Sequence, residues 1–281
     1  MKSVKKIIVG VLVSVLSAMI AIVVHIFMPS PGAEVNVEDF DSRLVSLLGF
    51  PLVASLYFVI LYLQIWITIS VFGRKSKSSR LKLGLCYGMS FGLMYLVAMQ
   101  EVVIEGSPCN DYGKDFVLYQ LFMGLGDALP ALGLCVVLAL CMKKKDTNTM
   151  QPVATNKWVK ILFLGVLYYA GRCIQYYTGA IDSDIAQYPI PVHIWTIVMG
   201  IVFGVIYILM QTAHPEPQSS NRRIMKYVLA IGINWIWFNC FIGLIYKGCF
   251  LEMLLRGSAD VIFLVCGAVL AEYITKKLSN K

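Results

Sequence analysis

The sequence predicts an all-α, polytopic integral membrane protein with about eight transmembrane helices. Of its 281 residues, 58% are hydrophobic and only 14% are charged, which is too apolar for a soluble globular domain. The apolar residues fall in runs long enough to cross roughly 30 Å of hydrocarbon as helices. Basic residues collect in the short segments between alternate runs, which is typical of the signals that orient a protein in a membrane.

Eight apolar runs carry this prediction, at about 7–28, 44–73, 83–104, 116–142, 158–179, 190–212, 225–246 and 250–275. They must form helices, because hydrocarbon offers no partner for unpaired backbone groups and the runs lack the alternation of barrel strands. The first run has the basic start of a secretory signal. Its apolar part is longer than that of a signal and no clean cleavage site follows, so we interpret it as a retained anchor.

The loop charges predict the orientation. Most of the 24 Lys and Arg residues lie on one side, in the segments 2–6, 74–82, 143–160, 222–226 and 276–281. The opposite side carries mainly acidic residues. By the positive-inside rule the basic side is cytoplasmic, so both termini are predicted to lie in the cytoplasm. Seven or nine spans would put basic loops on both sides of the membrane.

The polar stretch 143–157 divides the spans into two groups of four. We interpret residues 1–142 as a first four-helix membrane repeat, residues 143–157 as a cytoplasmic linker, and residues 158–281 as a second four-helix repeat. Parallel repeats of this kind are related by an axis along the membrane normal.

A short motif supports this internal repeat. The fourth span carries Gly124 and Asp127, and the eighth carries Gly257 and Asp260 with the same spacing and at a similar depth. The third and seventh spans match more loosely. A competing match joins the third and sixth spans, which run in opposite directions, and a chance recurrence of small residues at helical spacing is a further alternative. We prefer the first match because it keeps the helix order and agrees with the loop charges.

Asp127 and Asp260 are the leading candidates for a substrate-binding site. Each lies about ten residues from the end of its span, or roughly 15 Å deep, where a charge is costly and usually faces a cavity or the bundle interior. Gly124 and Gly257, one turn earlier, let a backbone or a ligand come close. The structural alternative is that each Asp bonds to a polar partner on another helix and locks the bundle.

Further ionisable residues extend this candidate site. Arg172, in the fifth span, requires a carboxylate partner, and Glu101 near the end of the third span is placed to line a vestibule. Arg256 has Glu252 and Asp260 one turn away in its own helix, so we predict a structural ion pair between Glu252 and Arg256. The candidate site holds more carboxylates than arginines, which favours a cationic solute or a proton-coupled cycle.

Cys109 and Cys249 fall in the two segments that lead into the matched spans. In an oxidising compartment a disulfide between them would join the two halves. No His and Cys spacing indicates a metal site, and no nucleotide-binding motif occurs, so we predict neither metal nor cofactor. The basic residues act as topology signals, so no nucleic-acid partner is predicted.

Gly124-Leu125-Gly126-Asp127 resembles the GxGD motif of the intramembrane aspartyl proteases, such as presenilin and signal peptide peptidase. The resemblance implies an enzyme in which Asp127 and a second Asp on the preceding span activate water. The preceding span here has no Asp and offers only Glu101. Pro130-Ala131-Leu132 spells the PAL triplet of that family directly after the Asp instead of on a later helix. The resemblance covers one helix of eight.

Three functions follow from these observations. The preferred one is a small secondary transporter or permease that binds a small polar or cationic solute, or a coupling ion, between its two halves. The others are an enzyme like the aspartyl proteases and a non-catalytic accessory subunit, bound to another membrane protein or to a second copy. Short lysine-rich loops without an N-x-[ST] site favour a bacterial plasma membrane.

Overall fold

The computed structural model describes residues 2–27, 40–101, 109–142, 156–181 and 183–279, and these contain helices but no strand. The helices, numbered in chain order, are α1 Lys2–Phe27, α2 Arg43–Leu48, α3 Phe50–Val71, α4 Arg80–Ala98, α5 Cys109–Met142, α6 Lys157–Thr178, α7 Pro189–Ala213, α8 Ser220–Tyr227, α9 Ile233–Ile245 and α10 Phe250–Ser279. A π-helical turn, Val228–Gly232, joins α8 to α9. Short 3-10 turns lie at Gly73–Lys75 and Asp184–Ala186.

Within the described residues, seven helices are long and apolar enough to cross a membrane: α1, α3, α4, α5, α7, the continuous helix α8–α9, and α10. The prediction of a multi-pass helical membrane protein is therefore confirmed. Helix α6 has 22 residues but is too polar for this group, because Lys160, Arg172 and Gln175 are buried on its inner side. The count of eight spans and the orientation stay predictions.

The helix ends follow local sequence signals. Ser79 and Ser219 precede α4 and α8, and their hydroxyls accept hydrogen bonds from backbone N–H groups three residues later. Pro51 and Pro189 lie in the first turns of α3 and α7, where a missing N–H costs nothing. Because these polar caps precede the apolar runs, the helices begin earlier than the runs predict. Helix α8 starts five residues ahead of the predicted seventh span.

The long helices pack in two sets with the same order of neighbours. In the first set α1 packs against α3 and α5, and α4 packs against α5. In the second set α6 packs against α7 and α10, and α9 packs against α10. Between the sets, α4 packs against α7 and α3 packs against α9. These two seams, α4–α7 and α3–α9, hold the sets together.

Glycines bring α4 and α5 very close. A Cβ added at Gly84 would lie 2.7 Å from Cα of Val136, and one at Gly88 would lie 2.9 Å from Cα of Leu132. Small residues of this kind let transmembrane helices approach to backbone contact. The α4–α5 pair therefore forms the tightest part of the first set.

Candidate functional site

Arg172, in α6, is fully buried and lies between two carboxylates. Its Nε and Nη2 donate to the two oxygens of Asp260 in α10 at 2.7 and 2.6 Å. Its Nη1 donates to Oε1 of Glu101, which follows the end of α4, at 2.6 Å. Two parallel bonds between a guanidinium and a carboxylate are the strongest arrangement of this pair. Arg172 thus has two carboxylate partners, where its position in an apolar run requires one.

Arg256 of α10 joins the same cluster, because its Nη2 donates to the Glu101 oxygen that Arg172 also contacts. Glu101 belongs to the first set of helices, whereas both arginines belong to the second. It therefore ties the two sets together at the end of the bundle far from the lysine-rich loops. Glu252, the predicted partner of Arg256, lies one turn earlier on α10, and that ion pair stays a prediction.

Asp260 is enclosed by protein donors. Besides Arg172, Nε2 of Gln175 donates to its Oδ1 at 3.1 Å and Nε1 of Trp235 donates to its Oδ2 at 2.9 Å. The guanidinium carbon of Arg172 also lies 5.4 Å from the ring centre of Trp195, within range of a cation–π interaction. Any solute that binds Asp260 must displace one of these donors.

The cluster is balanced in charge. Glu101 and Asp260 contribute two carboxylates, and Arg172 and Arg256 contribute two guanidinium groups. The excess of acid predicted for the site also counted Asp127 and Glu252. Among the described contacts Asp127 has a different partner, so the four side chains that are bonded together carry no surplus negative charge, and the predicted excess stays a prediction.

Asp127, in α5, is buried beside His25 of α1. Its Oδ1 has no hydrogen bond, and Nε2 of His25 lies 3.5 Å away. Nδ1 of His25 is 2.7 Å from the carbonyl oxygen of Ala21, and a carbonyl only accepts, so Nδ1 carries a hydrogen. Nε2 thus faces the Asp127 carboxyl at 3.5 Å. The two side chains form a His–Asp pair between α1 and α5.

The glycines of the repeated motif face neighbouring helices. A Cβ added at Gly124 would lie 3.1 Å from Cα of Leu96 in α4, and one at Gly257 would lie 3.0 Å from Cα of Ile236 in α9. The neighbour that comes close at both positions is a helix backbone. The role of these glycines in binding a substrate stays a prediction.

A polar contact that the sequence did not predict crosses the middle of the interface. The hydroxyl of Tyr95 in α4 donates to Oδ1 of Asn234 in α9 at 2.6 Å, and Nδ2 of Asn234 donates to Oε1 of Gln64 in α3 at 3.0 Å. The available signal was Gln64 itself, an amide inside an apolar run. Its partners could not be named without the packing.

A fourth buried carboxylate, Glu272 of α10, was not predicted by the sequence analysis. It accepts hydrogen bonds from Lys160 at 2.9 Å, from Tyr207 at 2.9 Å and from Gln211 at 3.1 Å, and it pairs with Arg223. All of these residues belong to the second set. Lys160 lies near a helix end, so its sequence position assigned it to the loop charges.

At the lysine-rich end, His214 joins the two sets. Its Nε2 lies 2.8 Å from the hydroxyl oxygen of Tyr87 in α4, and its Nδ1 lies 3.0 Å from Oε1 of Glu216 and 3.2 Å from Nζ of Lys226. Burial lowers the pKa of His214. Burial alone would raise the pKa of Glu216, but the hydrogen bonds from His214 and from backbone N–H groups lower it to about 2.

Cys109 and Cys249 are the remaining candidates. Cys249 carries a free thiol whose Sγ lies 3.8 Å from the carbonyl oxygen of Lys247. The side chain of Cys109 lies outside the described residues, so the disulfide stays a prediction. In the part of the chain that the structure describes, no group of three or more His, Cys, Asp or Glu side chains is arranged to hold a metal ion.

Comparison of the chain with protein-family models, with curated proteins and with solved structures gives no match. The side-chain geometry is therefore the basis for the function proposed below.

Proposed function

We propose that the protein is a small secondary transporter whose two sets of helices move against each other. The observation that carries this proposal is the position of Glu101, a first-set carboxylate held between two second-set arginines, Arg172 and Arg256. A buried ion pair contributes little net stability compared with apolar packing. Its presence across a seam, in a protein that packs well elsewhere, favours a contact that opens and closes.

Matching hydrogen bonds support a repeat of four plus four helices. Nε1 of Trp195 in α7 donates to the carbonyl of Val97 in α4 at 2.9 Å. Nε1 of Trp237 in α9 donates to the carbonyl of Tyr57 in α3 at 3.3 Å. If α3 corresponds to α7 and α4 to α9, a two-fold rotation along the membrane normal exchanges the two pairs of bonded helices, with the Trp donor on α7 in one pair and on α9, the counterpart of α4, in the other. Rigid-body rocking about such an axis is a usual transport mechanism.

Glycine contacts fall at matching positions in the two sets: Gly92 against Ala128 and Gly124 against Leu96 in the first, Gly232 against Val261 and Gly257 against Ile236 in the second. Gly232 and Ile236 lie 140 positions after their α4 counterparts, Gly92 and Leu96. Gly257 and Val261 lie 133 positions after their α5 counterparts, Gly124 and Ala128. Asp127 and Asp260 are also 133 positions apart. This agreement favours the repeat that keeps helix order over the competing match of the third and sixth spans.

The two matched carboxylates would then have different roles. Asp260 is satisfied by protein donors, whereas Oδ1 of Asp127 is buried without a hydrogen bond and faces His25. A carboxyl and an imidazole that face each other offer a place to bind and release a proton, so the pair of Asp127 and His25 supports a proton as the coupling ion. The polar groups of Tyr95 and Asn234, at the interface of the two sets, suit a small polar or cationic solute.

Uptake into proteoliposomes under an imposed pH gradient, measured across a panel of cations and small metabolites, tests the proposal. Glu101→Gln breaks an ion pair between the sets, and the matched control Glu272→Gln breaks one within the second set. We expect Glu101→Gln to abolish uptake of the solute that the wild type moves, while Glu272→Gln keeps uptake in the fraction that folds. Equal uptake by wild type and Glu101→Gln, or no uptake by folded wild type across the panel, would contradict the proposal.

A non-catalytic accessory subunit is the second candidate, and the enclosure of Asp260 favours it, because a saturated ion pair suits a purely structural role. In that case Glu101→Gln would leave binding to a membrane partner intact, as co-purification would detect. The protease candidate requires a second acid beside Asp127. Among the described ion pairs, the partner of Asp127 is His25 and not a second acid.

A further inference from the structure

We infer that a pocket between α3 and α8, at their lysine-rich ends, binds the headgroup of an anionic phospholipid. The pocket has a volume of about 150 Å³. Its lining divides evenly into apolar and basic side chains: Val71, Phe72 and Met225, and Lys75, Arg222 and Lys226. No carboxylate belongs to this lining, so the pocket is complementary to a negative charge.

Two of the three cations are available to a ligand. Lys226 is buried and its Nζ lies 3.3 Å from Oε1 of Glu216. Lys75 and Arg222 are exposed, and within the described ranges neither side chain takes part in a hydrogen bond or an ion pair. The pKa of His214 is lowered mainly by burial; Glu216 opposes this shift, and the charges of Lys226 and Arg222 add to it.

The apolar half of the lining explains why the ligand should be a lipid and not a free anion. Val71 ends α3 and is 53% exposed, and Met225 on α8 is 58% exposed. Both offer apolar surface beside the cations, at the level where membrane helices end. Acyl chains would cover this surface while the phosphate meets Lys75 and Arg222. Basic pockets between transmembrane helices on the cytoplasmic side bind anionic headgroups in this way.

At the same lysine-rich end of the bundle, the α4–α7 seam is closed by contacts within the protein. There the hydroxyl of Ser76 donates to the carbonyl of Ala213 at 2.6 Å, and Tyr87 bonds to His214 at 2.8 Å. These contacts connect α4 and the segment before it directly to the end of α7. The α3–α8 end has cations and a cavity at the corresponding level, which supports a ligand as the missing connection between the two sets.

The test measures binding of phosphatidylglycerol to the purified full-length protein in neutral detergent by native mass spectrometry, with phosphatidylcholine as the neutral comparison. We expect wild type to prefer phosphatidylglycerol. Lys75→Gln with Arg222→Gln should weaken that binding about 25-fold, or about fivefold for each cation removed near an anionic lipid. The matched control, Lys276→Gln with Lys277→Gln, removes two exposed cations from the end of α10 and should change binding less than about twofold.

A second variant keeps the charges and fills the cavity. Met225→Trp, at an exposed position, should reduce phosphatidylglycerol binding to the level of the double Gln variant. Equal losses in the pocket variant and the α10 control would overturn the site. So would equal binding of the two lipids by wild type. Competition by inorganic phosphate or glycerol phosphate at the same concentration as the lipid would identify a site for soluble anions and refute the lipid.

Discussion

Replacing Asp260 with Asn isolates the contribution of the buried arginine cluster. Asp260 accepts two hydrogen bonds from Arg172 and one each from Gln175 and Trp235. An Asn side chain keeps one accepting oxygen and replaces the other by an NH₂ group that only donates. Whichever way the amide turns, one hydrogen bond from Arg172 and one from Gln175 or Trp235 are lost. The new NH₂ group then faces N–H donors where the carboxylate offered an acceptor.

The magnitude follows from burial. Removing one partner of a buried ion pair costs about 3–5 kcal/mol, since the remaining charge is left uncompensated. Arg172 keeps its bond to Glu101, so we expect a value near the lower limit, about 3 kcal/mol. That is a large share of the roughly 5–15 kcal/mol that stabilises a typical folded protein. Asp41→Asn is the matched control, because Asp41 is exposed and accepts from the backbone N–H of Lys247; about 1 kcal/mol or less is expected there.

The assay is unfolding in mixed micelles by titration with SDS, followed by circular dichroism. A double-mutant cycle with Arg172→Gln adds a second readout. If the two side chains interact directly, the double variant should lose about 2 kcal/mol less free energy of unfolding than the sum of the single losses. A loss for Asp260→Asn as small as that for Asp41→Asn, or strictly additive losses, would refute the structural role of this pair.

Two further predictions concern packing and pH. Gly84→Ala should cost about 1–3 kcal/mol because the new Cβ would lie 2.7 Å from backbone Cα of α5, whereas Gly133→Ala, with no atom within 4 Å, should stabilise by up to about 1 kcal/mol; the opposite order in SDS titrations would contradict the α4–α5 contact. The pKa of His214 is lowered in the folded protein, so the unfolded chain binds its proton first and stability falls as the pH drops through about 6.5. The pKa of Glu216 is lowered from 4.5 to about 2, so the carboxylate loses its contribution to stability only as the pH falls below about 4.5. His214→Gln should therefore remove part of the pH dependence between pH 7 and 5, and an unchanged pH profile would count against the buried neutral His214.

The membrane class could be predicted from the sequence because insertion depends on the composition of each segment. The apolar runs placed the starts of α4 and α8 several residues too late, because Ser79 and Ser219 cap these helices ahead of the apolar residues. The π-helical turn Val228–Gly232 has no comparable local signal. Its one extra residue per turn changes which residues of α9 face α10, and this is a property of the packed pair of helices.

The sequence analysis named Arg172, Glu101 and Asp260 as candidates, but it could not predict their contacts. A buried Arg172 requires a carboxylate partner, and the sequence analysis predicted that such a partner exists. The partners Asp260 and Glu101 lie 88 and 71 residues away, so only the packing of α4, α6 and α10 selects them. The position of His25 near the end of an apolar run is typical of an interfacial residue, yet its Nε2 lies 3.5 Å from Oδ1 of Asp127.

The central claim is that two sets of helices move against each other and that Glu101 holds them together at one end. The most direct measurement is the distance distribution between spin labels at two exposed positions, Leu118 on α5 and Ile190 on α7, by pulsed electron resonance in lipid nanodiscs. Wild type should give one narrow distribution, Glu101→Gln a second and longer one, and Glu272→Gln the wild-type distribution. Indistinguishable distributions in wild type and folded Glu101→Gln would contradict the claim.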